Sequence, residues 1–433
     1  MDEKRSVRTN VFHNRNFALV FIGALVSELG AMIFTFAISF YILRISNNNA
    51  FLQGLYLSVC SIAALLSMPV GGVMGDRYDK VKIMYISDFI IGFSILIAAG
   101  LLLLTEEKNH ILILFVLGIL RNIVGGIFSP ASSALIPVIV NDDQLMQANS
   151  YLAIKSSFTG IAGIILAGIL YGALSVPVLF IVTALTYIAS AISETMVKVS
   201  LSVSEEKMSL QLFFKDMKDG LDYLKAQRAL LALLTAIIFI NFFAAPISSN
   251  FMPYFVSTDL TSTSSYLFDH VLTPEMWSSV LNGCAGIGSL IGAVLLSNSK
   301  TIEKCGKAVS ERLFVESLLI LLLSSVYYIC VDRQHSINIF LIIMSLGLLL
   351  NGILLTYINI PLNTLTMRIV DKESLSKVTS IISVGSQAMV PIASVLAGTL
   401  LDQFGSSILL FFCSFGLVAV ALSLLFNKQV KEL

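Results

Sequence analysis

Long apolar runs separated by short polar turns dominate the chain from Phe17 to Phe426. A helix that crosses a bilayer needs about 20 mostly apolar residues, because the hydrocarbon is about 30 Å thick and each residue rises about 1.5 Å. Twelve runs meet that length, at 17–43, 51–74, 83–104, 111–138, 151–173, 176–197, 230–256, 276–298, 312–331, 336–360, 376–401 and 406–426. The first is too long for the core of a signal peptide and no cleavage site follows it, so it reads as a retained helix. The pattern predicts an all-α membrane protein with twelve transmembrane helices.

The basic residues orient those helices. Only Arg44, Lys108 and Arg333 of the 27 Lys and Arg fall in the loops that a cytoplasmic N-terminus would place outside. Arg121 falls within a helix, and the others gather on the inner side. Cytoplasmic loops carry an excess of Lys and Arg, and a wrong helix count would scramble the bias. The expectation is a multi-pass protein of the cytoplasmic membrane with both termini in the cytoplasm.

Composition agrees. The chain is 56% hydrophobic and 12% charged, against about 25% charged in soluble domains, and its mean hydropathy is +0.88. Formal net charge is zero, so nothing points to a nucleic-acid partner. The five cysteines form no CxxC or disulfide pattern, and His13, His110, His270 and His335 lie in separate loops, so no metal or other cofactor is expected. Gly286, Gly288 and Gly292 lie in an apolar run with no Lys-Ser/Thr after them, which suits helix packing rather than a phosphate loop. With no Walker motif and no nucleophile–base signature, the chain does not read as an enzyme.

The longest internal polar stretch runs from Ser200 to Arg228. Within it Leu210, Phe213, Phe214, Met217, Leu221 and Leu224 recur at helical spacing, with Lys and Asp on the other faces, which predicts an amphipathic helix on the inner leaflet. It divides the chain into an N-terminal six-helix bundle (1–198), a linker (199–229) and a C-terminal six-helix bundle (230–433). Pro130, Val140, Leu145 and Gly168 are matched at near-constant separation by Pro361, Val370, Leu375 and Gly398, which suggests a duplicated unit.

A few polar residues stand out against this background. Arg121 lies about 15 Å into its helix, where an arginine costs roughly 2.5–3.5 kcal/mol on insertion scales. It should face protein or water, either in a functional role or bonding main-chain carbonyls. Glu28, in Ser27-Glu28-Leu29-Gly30, is similarly deep. A carboxyl there is a candidate to load and unload a proton, with Arg121 as the neighbour that tunes it; a neutral acid bonded to the helix backbone is the alternative. Asp88 reads as a partner for loop charges such as Arg77. Lys155 and Glu194, near inner helix ends, read as snorkelling side chains. Phe34, Asn241, Asn351, Asn359 and Gln387 are candidates to line a substrate cavity.

The loop from Gly71 to Lys82 carries a family likeness. Gly72, Asp76, Arg77 and Lys82 match a signature of the major facilitator superfamily, although Asp79 stands where many members have glycine and Val81 where many have a basic residue. Arg121 followed by Gly125 resembles the superfamily motif associated with proton coupling. The Asp76–Asp79 loop, the stretch from Arg121 to Pro130-Ala131, and Leu145 to Asn149 resemble the macrolide-efflux branch. In the fifth helix Ile164 follows Gly163 where exporters often have Gly-Pro. The resemblance covers nearly the whole chain. It implies a monomeric secondary transporter that works by alternating access, with loop residues Gly72, Asp76, Arg77, Lys82 and Asp88 acting in the conformational change. It also implies proton-coupled export of small amphipathic, macrolide-like compounds. A lysophospholipid flippase or siderophore exporter on the same fold is the alternative, and a non-transporting receptor or scaffold fits the short tails poorly.

Overall fold

The computed structural model describes residues 10–141, 144–199, 218, 222, 227–263, 265–297, 305–333, 336–369, 382 and 384–431. Among the described residues there is no strand, and twelve helices are long and apolar enough to cross a membrane. They are α1 (Arg15–Ile45), α2 (Ala50–Arg77), α3 (Lys80–Leu104), α4 (His110–Ile139), α5 (Leu145–Ala173) and α6 (Val176–Thr195). α7 runs over Arg228–Pro246 and continues through π-helical turns at Ile247–Phe251 and Val256–Leu260 on either side of Met252–Phe255. α8 (Pro274–Ser297), α9 (Cys305–Tyr327), α10 (Ile337–Ile369), α11 (Val390–Phe404) and α12 (Ser406–Phe426) complete the set. The amphipathic segment expected at 209–228 lies almost wholly outside the described residues.

Helix starts follow the local chemistry. Asn14 accepts from the main-chain N–H of Asn16 and Phe17, Asn49 from Leu52, and Asp79 from Val81 and Lys82. Each satisfies donors that the first turn leaves unpaired. Asp79, which departs from the signature glycine, therefore caps α3. Three helices overrun their apolar runs. α5 begins at Leu145 rather than 151, α9 at Cys305 rather than 312, and α10 continues to Ile369 rather than 360. The added turns are polar, so hydropathy alone misses them.

Neighbouring helices pair within two groups. α1 packs on α5 and α6, α3 on α4 and α6, and α2 on α4; α8 packs on α10, α9 on α10 and α12, and α7 on α11 and α12. Most contact between the groups comes from α2 with α11 and α5 with α8, and the continuation of α7 also meets α1 and α2. Two of the buried apolar clusters draw only on residues before α7. A third draws only on α7 and later residues, and the fourth does so apart from Phe40 and Ala50. Large apolar side chains such as Leu66 and Leu104 face outward, at 73% and 85% exposed, as the lipid-facing side of a bundle requires.

The glycines of α8 serve packing, as their apolar context predicts. A Cβ on Gly288 would stand 1.9 Å from the Leu349 carbonyl oxygen, and one on Gly352 would stand 2.0 Å from that of Ala285. The backbones of α8 and α10 thus meet at small residues. Gly288→Ala is expected to cost about 1–3 kcal/mol through overpacking, read as a lower melting temperature in detergent. Gly72→Ala, where the added methyl meets open space, is the matched control and should leave melting unchanged.

Hydrogen bonds between the two groups of helices gather at the end of the molecule opposite the termini. Asp402, at the end of α11, accepts from the main-chain N–H of Ala50 and of Phe51, each at 2.8 Å, at the start of α2. Asn48 donates to the Ser257 carbonyl at 3.3 Å and Gln53 to that of Ser249 at 3.4 Å. Deeper in the bundle, Ser279 on α8 donates to the Ile164 carbonyl on α5 at 2.7 Å. A Cβ on Gly54 or Gly398 would collide with the facing backbone, at 2.2 Å from Ser394 O and 2.4 Å from Ala50 O. Glycine at both positions therefore allows the close approach on which the Asp402 contact depends.

Candidate functional site

Glu28 faces α5. Its Oε1 is ion-paired with Lys155 Nζ, and its Oε2 accepts from Thr159 Oγ1 at 2.9 Å. Lys155 and Thr159 are one turn apart, so α5 offers both donors on one face. The pair is asymmetric: the Lys155 side chain is 8% exposed and that of Glu28 37%. The cation is enclosed by helices and the carboxylate opens onto a cavity.

That cavity has a volume of about 260 Å³ and is lined by Glu28, Arg121, Asn122, Asp88, Met68 and Tyr187, among others. Helices α1, α2, α3, α4 and α6 all contribute to its walls. It holds three of the ionisable residues singled out from the sequence.

Their pairing differs from expectation. Arg121 is not the ion-pair partner of Glu28; Lys155 is. The sequence reading starts the fifth helix at 151 and so leaves Lys155 near its end. The two further turns from Leu145 carry Lys155 well inside the bundle, and it is buried rather than snorkelling. Arg121 instead places its guanidinium 5.2 Å from the ring centroid of Phe34, with Tyr187 as its hydrogen-bonding neighbour and Tyr56 and Cys60 close by. Its Nε has no hydrogen-bond partner among the described residues. A guanidinium over an aromatic face gains about 2 kcal/mol or more when desolvated, which offsets part of the cost of its depth. Gly125 has open space where a side chain would go, whereas Gly126 meets Ser67 on α2.

Asp88 is also placed differently. It is buried where α3 packs on α6, beside Ser190 and with Glu194 as its acidic neighbour, not out among the loop charges. Asp88 is 2% exposed and Glu194 1%. Asp88 Oδ2 and both carboxyl oxygens of Glu194 lack hydrogen-bond partners among the described residues. Glu194 is thus enclosed, not snorkelling, because α6 lies flat against α3 along this stretch. The side chains of Asp76 and Arg77 lie outside the described residues, and Lys82 is exposed.

The remaining cavity candidates separate. Phe34 is 1% exposed and packs against Phe180, with ring centroids 5.1 Å apart, so it is core rather than cavity wall. Asn241 donates to the Ile237 carbonyl of its own helix, and Asn359 and Gln387 are exposed. Asn351 does line a cavity, in the second group of helices, where its Nδ2 donates to Glu316 Oε1 at 3.4 Å. Sequence reasoning passes over Glu316. The sign was a lone acid in the apolar ninth run, masked because that run reads as starting at 312 and so puts Glu316 near its end.

Comparison with known proteins places this geometry in context. The Major Facilitator Superfamily profile matches residues 20–393. The uncharacterized MFS-type transporter YvqJ of Bacillus subtilis (strain 168) is 22% identical over 404 residues, 92% of this chain and 89% of that one. Macrolide efflux protein A of Streptococcus pyogenes is 26% identical over 253 residues, 56% of this chain and 60% of that protein. Among solved structures, the nucleoside transporter NupG superposes with a TM-score of 0.71 at 10% identity, covering 94% of this chain and 98% of NupG. A bacterial homologue of the iron transporter ferroportin in an inward-facing state gives 0.69 at 14% identity, covering 96% of this chain and 98% of that one.

Proposed function

The chain belongs to the major facilitator superfamily, and on that footing we propose that it exports small amphipathic molecules across the cytoplasmic membrane in exchange for protons. The family and fold are those of multi-pass membrane transporters. Proton exchange, outward direction and macrolide-like substrates belong to the proposal.

One observation carries it: a carboxylate deep in the first helix, open to a cavity, is held by an enclosed lysine and a threonine. An intramembrane ion pair on the wall of a cavity is a functional site by default. A proton that reaches Glu28 from the cavity neutralises it and breaks the pair with Lys155. The buried ammonium is then uncompensated, a state that favours rearrangement of α1 against α5. Return to the paired state on the other side of the cycle releases the proton. Arg121 lines the same cavity and places a second positive charge on its wall. The likeness to Macrolide efflux protein A supports export and an amphipathic substrate. In this reading helices α1–α6 and α7–α12 rock as two units about the 199–229 linker. Both termini face the cytoplasm, and Gly72, Asp76, Arg77 and Lys82 help lock the inner face.

Reconstitution in liposomes with an internal pH dye tests the reading. With an imposed proton gradient, a macrolide or another amphipathic compound is expected to elicit proton flux, and Glu28→Gln should reduce that flux at least tenfold. Full flux in the Gln variant removes Glu28 as the proton carrier. No flux from the unaltered protein, with labelled lysophospholipid still crossing the bilayer, replaces export by lipid flipping.

A further inference from the structure

A second cavity lies within the later group of helices, between α7, α8, α9, α10 and α12, and has a volume of about 200 Å³. Its walls are mostly apolar, and they include the rings of Phe251, Tyr327 and Phe340. These rings pack edge to face, Phe251 to Tyr327 at 5.4 Å and Tyr327 to Phe340 at 5.3 Å between centroids. One acidic side chain lines this cavity, Glu316, which is 8% exposed.

Most hydroxyl donors around it are already spent within their own helices or on Asp259. Asn282 spends an N–H on the Ser278 carbonyl, Ser324 its hydroxyl on that of Ile320, and Tyr327 its hydroxyl on Asp259 Oδ2 at 2.6 Å. Glu316 Oε1 receives only the long 3.4 Å contact from Asn351, and its Oε2 has no partner among the described residues. Arg312, one turn before Glu316 on α9, points elsewhere: its Nη1 donates to the Tyr357 carbonyl at 2.7 Å and its guanidinium stacks 5.0 Å from the Tyr357 ring. A buried carboxylate without a cation is costly. A site that combines such a carboxylate with aromatic rings suits an alkylated ammonium group, which brings a charge for the acid, apolar surface for the walls and attraction to the ring faces.

We propose that this cavity binds the substituted ammonium head of the transported molecule, with Glu316 as its counter-charge. The inference rests on the reading that the chain carries an amphipathic substrate, and it narrows that substrate to organic cations. It places recognition in the second group of helices and proton exchange at Glu28 in the first. The volume suits a compact head group, so the bulk of a larger substrate extends beyond it.

Equilibrium binding to the full-length protein in lipid nanodiscs, with no ion gradient, separates this site from proton coupling. The probe is radiolabelled tetraethylammonium, whose fixed charge does not vary with pH. Saturable binding is expected for the unaltered protein. Glu316→Gln should weaken it at least tenfold, and Glu316→Asp, which keeps the charge, should retain it within about threefold. Melting curves confirm that each variant is folded. Absence of saturable binding to the unaltered protein, or equal affinity in Glu316→Gln, overturns the proposal and leaves Glu316 a neutral acid that packs against Asn351.

Discussion

Lys155→Met is expected to destabilise the protein sharply, and Glu28→Gln combined with it should recover most of the loss. Removing one partner of a buried pair costs about 3–5 kcal/mol, because the other is left uncompensated. Lys155 is the enclosed partner and Glu28 keeps an opening to its cavity. The lysine-only loss therefore falls near the lower end, about 3 kcal/mol, since cavity water and Thr159 still solvate the carboxylate. Glu28→Gln alone should cost more, because it strands the ammonium in a dry site. The double variant removes both charges and should melt within a few degrees of the unaltered protein. Transport separates structure from function here. The restored double variant should show no compound-dependent proton flux, because nothing is left at position 28 to carry a proton. If the double variant melts as low as the worse single one, the pair is not a coupled unit. If its flux returns, the proton travels elsewhere.

Asp402→Ala should loosen the end of the bundle opposite the termini. The carboxylate accepts from the first two N–H groups of α2, where the helix carries its positive partial charge. Asn49 satisfies the next donor from within the same chain segment, so α2 stays helical without Asp402. What is lost is the link between α2 and α11. An N-terminal cap contributes about 0.5–2 kcal/mol, and 1–2 kcal/mol is roughly a 5- to 30-fold change in population. Spin labels placed at the start of α2 and the end of α11 should gain a longer distance component in the variant. An unchanged distance distribution means that the packing of Gly54 and Gly398 alone holds this end closed.

Much of this was legible in the sequence. Helix number follows from the length of apolar runs, and Glu28 and Arg121 were conspicuous as charges in hydrocarbon. Partnership was not legible. Hydropathy sees where lipid begins, whereas helices continue through polar turns into the aqueous layer. The turns at Leu145 and Cys305 therefore went unseen, and with them the depth of Lys155 and of Glu316. The same limit explains Asp88 and Glu194, whose burial depends on α3 lying against α6 and not on either local sequence. Phe34 cannot be placed from sequence, because 28 phenylalanines in a lipid-solvated chain carry no sign of which face lipid, core or cavity. Asp402 sits in an ordinary turn, and its role appears only once α2 is placed beside it.

The seal at the end opposite the termini has a lopsided genetics. Its hydrogen bonds join the side chains of Asp402, Asn48 and Gln53 to main-chain atoms of Ala50, Phe51, Ser257 and Ser249. A main-chain partner survives almost any replacement of the side chain it belongs to. Apart from buried Ala50, the positions that supply main-chain atoms can vary without erasing the contact, while the three side chains carry most of the mutational risk. A closure built this way keeps its chemistry while much of the sequence around it changes.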